Sequence, residues 1–535
     1  RRACALMQAT ARATRGMVVS SHHLAAQSGL AVLRAGGNAI EAMIAAASVI
    51  SVVYPHMNGL GGDGFWLIAA PEDAAPTAIL GVGRAGHAVD AALYRARGLD
   101  AIPTRGPLAA NTVAGTVSGW AAAHEIAQAW DGRLPLAALL ADAIHYARAG
   151  VPVTRGHCEM VSAKEGEMRD LAAWRSLFLA DGAPTPGALL KQPALAETLE
   201  ALARDGLDSF YRGALAKRIA ADLARAGSPL TASDLAAHRA IVTSPATVRI
   251  GAGTLYNTPP PTQGAVSLAI LALYDRMAAA EAEGFDHVHR LVEATKQAFL
   301  MRDASVTDPA FMTVTVADLL SPAALDARAA AIDHARALPW PQPAAPGDTV
   351  WLGAIDGAGR AVSFIHSIYW EFGSGVVLED TGIQWQNRGC SFSLQPSALN
   401  ELSPRRLPFH TNNPAMARLA DGRLIVYGTM GGDGQPQTQA AVFTRHVRYG
   451  QDLAAAIDAP RWLLGRTWGT PRIELSLESR FDAALIVRLE GAGHRVRVVG
   501  DYDSLMGHAG AIVRHPDGWL EGAADPRGDG CAASF

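Results

Sequence analysis

Four prolines within eight residues (Pro339, Pro341, Pro343 and Pro346, with Ala344–Ala345 between them) interrupt this chain well past its midpoint. Proline fixes φ and carries no backbone N–H, so such a stretch runs extended and supports neither helix nor sheet. It predicts a boundary between a helix-rich part before it and a strand-rich part after it. Gly347-Asp348-Thr349 follows, then two alternating apolar runs, Thr349–Ile355 and Ala361–Tyr369, around Asp356-Gly357-Ala358-Gly359. Alternation about a Gly-rich turn predicts a β-hairpin. With the turn centred on Gly357–Ala358, Thr349 faces His366 or Ser367 across the strands, ~5 Å apart at Cβ.

Ahead of the break, Gly16–Ser20 reads as a strand, and Ser21–Leu33 as a helix stopped at Gly36–Gly37. Ala42–Tyr54 is a buried helix or strand, and Phe65–Ala70 a short strand after a Gly-rich turn. From Ala109 to Ala280 the pattern is mostly helical, with segments at Leu134–Ala149, Ala194–Ala203, Ala214–Ala226, Ala232–Arg239 and Gln263–Ala280; Phe285–Arg302 adds one more. Further strands are expected at Leu424–Gly428 and Ala511–Arg514.

Composition narrows the function classes. A 535-residue chain that is 49% hydrophobic and 18% charged is not disordered. A net charge of −4 without a basic block argues against nucleic acid as a partner. No apolar run reaches the ~18 residues that a membrane span needs. Cys4, Cys158, Cys390 and Cys531 are too scattered for a disulfide framework and have no zinc-type spacing. The 17 histidines form no metal-spaced cluster, so neither a metal nor a cofactor is expected. A reducing compartment is the default; no apolar segment follows Arg1-Arg2, so the cytoplasm is expected, or the periplasm if a leader has been removed. Gly81-Val82-Gly83-Arg84-Ala85-Gly86 matches G-x-G-x-x-G, but no acidic residue ends a second strand ~20 positions on, so it reads as a tight turn.

Several stretches, taken together, carry a resemblance. They are Gly36-Gly37-Asn38-Ala39, then Pro55-His56-Met57-Asn58-Gly59-Leu60-Gly61-Gly62-Asp63-Gly64, Gly347-Asp348-Thr349 and Gly373-Ser374-Gly375-Val376. Asn412-Asn413-Pro414-Ala415, Gly428-Thr429-Met430-Gly431-Gly432-Asp433-Gly434-Gln435-Pro436 and Asp525-Pro526-Arg527 follow in the same order. The chain resembles the γ-glutamyltranspeptidase family of N-terminal-nucleophile hydrolases, from about Gly16 to Phe535. The resemblance implies an α/β (α+β) fold, a four-layer αββα sandwich, made as one inactive chain. It also implies self-cleavage between Asp348 and Thr349, giving a large subunit 1–348 and a small subunit 349–535 that share one core. Thr349 would then hold both a hydroxyl nucleophile and a free α-amine. With a pKa of ~7.7–8.0 that amine is partly neutral at pH 7 and can serve as the base. Ser367 aligns with the family's second hydroxyl, and Gly431 and Gly432 with its oxyanion-hole glycines.

The chain also departs from the family. Tyr369, Arg388 and Ser391 stand where γ-glutamyl enzymes present acceptors for the substrate ammonium. Arg has five donors and no acceptor, and suits a carboxylate instead. His410-Thr411 replaces a Ser-Ser pair that helps to hold substrate, Arg84 is the nearest counterpart of the family's large-subunit arginine, and the segment from Phe392 to His410 is short. Tyr369, Trp370 and Trp385 either shrink the pocket or belong to the core. Within the family the likeness is greatest to the oxamate amidohydrolases, which release ammonia from oxamate in uric acid and allantoin catabolism, and Tyr54–Trp66 carries most of it. The expectation is therefore an amidohydrolase acting on a small carboxylate-bearing amide. Alternatives are a γ-glutamyl (glutathione) hydrolase or transpeptidase, a dicarboxylic (glutaryl or cephalosporin) acylase, and a non-catalytic relative. The expected partners are a small amide and the two halves of one chain as a heterodimer, with a dimer of these heterodimers left open.

Overall fold

The computed structural model describes residues 9–277, 281–340, 348–465 and 473–535, with residue 348 described by its backbone. Cys4, Gly347 and three of the break's four prolines (Pro341, Pro343, Pro346) lie outside the described residues. Two seven-stranded sheets, antiparallel throughout, dominate the rest. One runs in the order Ala11–Ala13, Leu520–Ala524, Ala509–Arg514, Leu424–Thr429, Ala415–Leu419, Gly253–Asn257, Ala246–Ile250. The other runs Cys531–Ser534, Met17–Ser20, Asp348–Ile355, Ala361–Tyr369, Asp63–Ala69, Thr77–Gly81, Ile241–Thr243.

Side chains alternate along a strand, so each sheet has two faces to bury. In the hairpin, Trp351, Ile355, Ala361 and Ile365 join Val426, Ile512 and Met416 of the other sheet in a core between the sheets. The alternate positions Val350, Leu352, Val362 and Phe364 pack against the helices His23–Arg34 and Ala39–Val53. On the far side, Ile425, Tyr427 and Val513 meet the helices Gly264–Asp275, Phe285–Ser305 and Gly434–Phe443. The result is the expected αββα sandwich. Trp351 fills the gap between the sheets, with its indole N–H donated to Ser363 Oγ at 3.0 Å. A Cβ on Gly428 would fall 2.1 Å from that ring, so only glycine lets the sheets close there.

The helix Ala39–Val53 is buried along its whole length and starts at a capping box, in which Asn38 Oδ1 accepts the Ile40 and Glu41 N–H groups and Glu41 Oε2 accepts that of Asn38. Asp356, in the hairpin turn, accepts the Ala39 N–H at 3.1 Å and so ties that turn to the helix start. Hairpin strands form at Asp348–Ile355 and Ala361–Tyr369. The helical reading of residues 109–280 fails at Ile241–Thr243, Ala246–Ile250 and Gly253–Asn257, which are strands. Their β-branched residues and the breaks at Pro245 and Gly251 outweigh the helical context. Leu134–Ala149 is two helices, Leu136–Leu139 and Ala141–Ala149, rather than one. Among the described residues no helix is long and apolar enough to cross a membrane.

A buried ion network fastens the C-terminal strands. Asp525 faces Arg461 and Arg527, Arg527 also binds Glu478 at 2.6 Å, and Asp525 Oδ2 accepts the Ala509 N–H. Burial alone would raise the Asp525 pKa, but the two guanidiniums prevail and bring it down to about 2. Its folded pKa is thus below its unfolded one, so this contribution is complete above about pH 4 and lost as pH falls towards 2. Asp525→Asn should lower the melting temperature at pH 7 and flatten its decline between pH 4 and 2, as followed by circular dichroism.

Candidate active site

Strand alternation sets up the site. Thr349, Ser367 and Asp63 have the parity of the residues facing the other sheet, and the strands that bear them are neighbours. Ser367 is the register partner of Asp63. The hairpin register holds from Ile355↔Ala361 to Val350↔His366 and then slips, so that Asp348 pairs with Tyr369. Ser367 and Ile368 therefore oppose the single residue Thr349, a β-bulge of the kind that re-aims side chains. Tyr369 follows with φ of +82°, uncommon for a residue with a Cβ, and its N–H is donated to Ser367 Oγ at 2.8 Å.

Thr349 is fully buried. Its Oγ1 donates to Asn412 Oδ1 at 3.1 Å and accepts from Gln435 Nε2 at 3.3 Å, both from the opposite side of the sandwich. Gln435 also links this hydroxyl to the Gly431-Gly432 turn, since its own N–H is donated to the Gly432 carbonyl. That turn joins the end of the strand Leu424–Thr429 to the helix Gly434–Phe443, with φ of +118° and +50° at the two glycines. Gln263 Nε2 bonds both the Gly432 and Thr411 carbonyls, holding the His410–Asn413 segment against the turn. The motif comparison included Asn412, Gln435 and Asp63, but spacing alone assigned them no task.

Arg388 joins this group through Tyr369. It is 1% exposed, its guanidinium carbon sits 3.6 Å from the centre of the Tyr369 ring, and among the described residues Nε, Nη1 and Nη2 all lack a hydrogen-bond acceptor. Burial pulls its pKa down to about 10, against the attraction of Tyr369 and Asp63. Asp63 Oδ1 accepts from the Gly83 and Gly115 N–H groups and from Gln386 Nε2. Its Oδ2 is 3.0 Å from His410 Nε2, close enough to share a proton although the ring is not turned for a straight hydrogen bond. Burial pushes Asp63 up to about 7, and Arg388 and the N–H donors restrain the rise. Burial, with Arg388 second, keeps His410 neutral well below the usual imidazole range. His410 Nδ1, Thr411 Oγ1 and Asn412 Nδ2 are also buried without partners among the described residues. Beside the acceptors Asp63 Oδ2 and Gln386 Oε1, this buried group therefore holds a surplus of donors, the chemistry that takes a small anion.

The structure brings Thr349, Ser367, Tyr369, Arg388, His410, Thr411, Gly431 and Gly432 into one region. Arg84 is not among them. Its side chain is 46% exposed, 3.8 Å from Asp308 and bonded to the Arg405 carbonyl, and it lines a surface cavity with His238 and Arg239. Trp385 is a core residue that donates to the Thr112 carbonyl, so it does not line the pocket. Gly83 explains the G-x-G-x-x-G match, because a Cβ there would lie 1.4 Å from the Val113 carbonyl oxygen. One group among the described residues has metal-ligand proximity, His289, Glu293 and His494. Lys296 already holds Glu293 at 2.6 Å, so an ammonium takes the place of a metal ion there.

The family described as gamma-glutamyltranspeptidase matches residues 25–535. The oxamate amidohydrolase proenzyme of Klebsiella pneumoniae is 57% identical over 524 residues, covering 98% of this chain and 99% of that one. The glutathione hydrolase-like YwrD proenzyme of Bacillus subtilis is 42% identical over 525 residues, with 98% and 99% coverage. The crystal structure of a cephalosporin acylase from Bacillus halodurans superposes with a TM-score of 0.92 at 35% identity, covering 100% of this chain and 98% of that one.

A buried cation without acceptors makes an anion stabilising. Saturating oxalate should raise the melting temperature, by about 2.7 kcal/mol of stability at a hundred times its Kd. Arg388→Met should abolish that shift, as read by differential scanning fluorimetry.

Proposed function

This chain belongs to the γ-glutamyltranspeptidase family of self-processing amidohydrolases, and within it we propose that it hydrolyses a small carboxylate-bearing primary amide, with oxamate as the preferred substrate. The observation that carries this reading is Arg388, a buried guanidinium with nothing in the described residues to accept its hydrogen bonds. A carboxylate next to the scissile carbonyl answers that deficit bidentately. A γ-glutamyl substrate would instead bring an ammonium towards a fixed positive charge.

The chemistry starts with the chain itself. Thr349 Oγ1 attacks the Asp348 carbonyl carbon, the C–N bond breaks in an N-to-O acyl shift, and water hydrolyses the ester. The products are residues 1–348 and 349–535. The freed α-amine of Thr349, with a pKa of ~7.7–8.0, then takes the hydroxyl proton as Oγ1 attacks the substrate carboxamide. Asn412 and Gln435 aim the hydroxyl, Ser367 supports it, and the Gly431 and Gly432 N–H groups receive the developing oxyanion. Each such donor contributes about 2.7–4 kcal/mol to the transition state. The ammonium formed on the amine returns its proton to the leaving nitrogen, and ammonia departs. Water, with its proton taken by the same amine, cleaves the oxalyl ester and releases oxalate.

Thr349→Ala should yield one uncut, inactive chain on denaturing electrophoresis, where the wild type gives two bands. An active, uncut variant would overturn the nucleophile assignment. Ammonia release from oxamate should exceed turnover of a γ-glutamyl anilide, and Arg388→Gln should lower kcat/KM for oxamate by roughly 2–4 kcal/mol in transition-state terms. Faster anilide turnover would favour a glutathione-type hydrolase.

A further inference from the structure

Asp63 is the puzzle that the catalytic scheme leaves. It is a carboxyl group with no exposure, in the same pocket as the guanidinium that is to bind a carboxylate, yet it makes no ion pair with it. Its Oδ1 is committed to three donors from residues 83, 115 and 386. Its Oδ2 has only His410 Nε2 in reach, and the other nitrogen of that ring, Nδ1, is buried and unpartnered among the described residues. His410 is two residues from Asn412, which holds the Thr349 hydroxyl, and Asp63 is the register partner of Ser367.

Charge counting separates two states. With Asp63 ionised and the Thr349 amine neutral, as attack requires, Arg388 and Asp63 cancel, and an incoming anion leaves the buried pocket with a net negative charge, which a low-dielectric site opposes. With one proton added to the pair, the anion and Arg388 cancel instead. We propose that Asp63 is the resident counter-ion of Arg388, and that a substrate carboxylate binds the guanidinium only as the Asp63–His410 pair takes up one proton from solvent. This rests on the reading of Arg388 given above. The Nε2 proton of the ring passes to Oδ2, which then donates to Nε2, and the proton taken from solvent is bound at Nδ1. Uptake therefore converts Nδ1 from an acceptor to a donor at the moment an anion arrives. In the unliganded protein the ring keeps its proton on Nε2, towards Asp63. The pair titrates as a unit. The groups that face it are Arg388, which favours ionisation, and the buried Tyr211 phenol, which is neutral at physiological pH. The placement of Asp63 near 7, by burial against the pull of Arg388, puts the exchange within the working range. Asp63 is thus a specificity-determining residue that selects small monoanions and makes their affinity fall with rising pH.

The test uses the mature wild-type enzyme, with glycolate, a small monoanion, as a competitive inhibitor of oxamate hydrolysis. The glycolate Ki should climb by at least about tenfold per pH unit above ~7, because the pair and the Thr349 amine both release protons there. Asp63→Asn keeps the Oδ1 acceptor and places an N–H towards His410, imitating the protonated carboxyl. It should bind glycolate more than tenfold more tightly than the wild type at pH 8.5, with a slope of log Ki against pH lower by one. Calorimetry in buffers of different ionisation enthalpy should show about one proton fewer taken up by the variant. Difference infrared spectra of the wild type, which need no variant to fold, should gain a protonated-carboxyl band when glycolate binds at pH 8.5. An unchanged slope in Asp63→Asn, or no such band in the wild type, overturns the proposal. Failure to hydrolyse oxamate at all is a different outcome, and it would strike the substrate reading instead.

Discussion

Two fully buried sheet faces have to meet, and the rest of the molecule follows from that requirement. Each sheet is covered by helices on its outer side, so the strands are apolar at nearly every position rather than at every second one. The separation of the inner faces is set by what they can interdigitate. Trp351 fills the space on one side, and glycines at 428 and 510 make room for it on the other. At the end of this inter-sheet core the apolar filling stops, and the inward positions become Thr349, Ser367 and Asp63. The site is thus the polar end of the core.

Polarity in such a place is costly unless it is answered. Most of it is answered here: Gln263, Gln435 and Asn413 bond backbone carbonyls and one another, and fix the Gly431-Gly432 turn to the segment that carries His410. What is left over is mostly donors, beside the acceptors Asp63 Oδ2 and Gln386 Oε1. The three guanidinium nitrogens of Arg388, the Thr411 hydroxyl and the Asn412 amide can all donate, and all lie idle among the described residues. The fold therefore holds a surplus of buried donors beside a nucleophile-type hydroxyl, an arrangement more hospitable to an anion than to a cation. Tyr369, in a backbone conformation that few such residues adopt, is where the chain bends to hold the guanidinium against an aromatic face.

Much of this could be read from the residues alone, and the exceptions have physical causes. The hairpin was readable because alternation and a Gly-rich turn are local signals, and they also narrowed the partner of Thr349 to two residues. The bulge was not, because one extra residue on one strand leaves the pattern unchanged. Residues 241–257 were read as helical because three short strands amid long helices offer few periods to count. Arg84 was tied to the site by likeness of position, yet its side chain turns to the surface. The Asp63–His410 approach joins residues far apart in sequence through tertiary packing, and no spacing rule reaches that distance. Arg388 was singled out by its chemical mismatch with an ammonium, but only burial could reveal that its nitrogens have no acceptor.

The strand order has a consequence for any protein nicked ahead of residue 349. Met17–Ser20 is threaded between Cys531–Ser534 and Asp348–Ile355, while Ala361–Tyr369 is flanked by Asp63–Ala69. In the other sheet, Gly253–Asn257 borders Ala415–Leu419, and Ala11–Ala13 borders Leu520–Ala524. The two fragments are interlaced like the teeth of a zip closed from both ends. They could part only by tearing ladder hydrogen bonds in both sheets and opening every hydrophobic layer, so separation and global unfolding are one event. Losing the covalent link would leave the lifetime of the pair governed by the unfolding barrier, with no dependence on dilution.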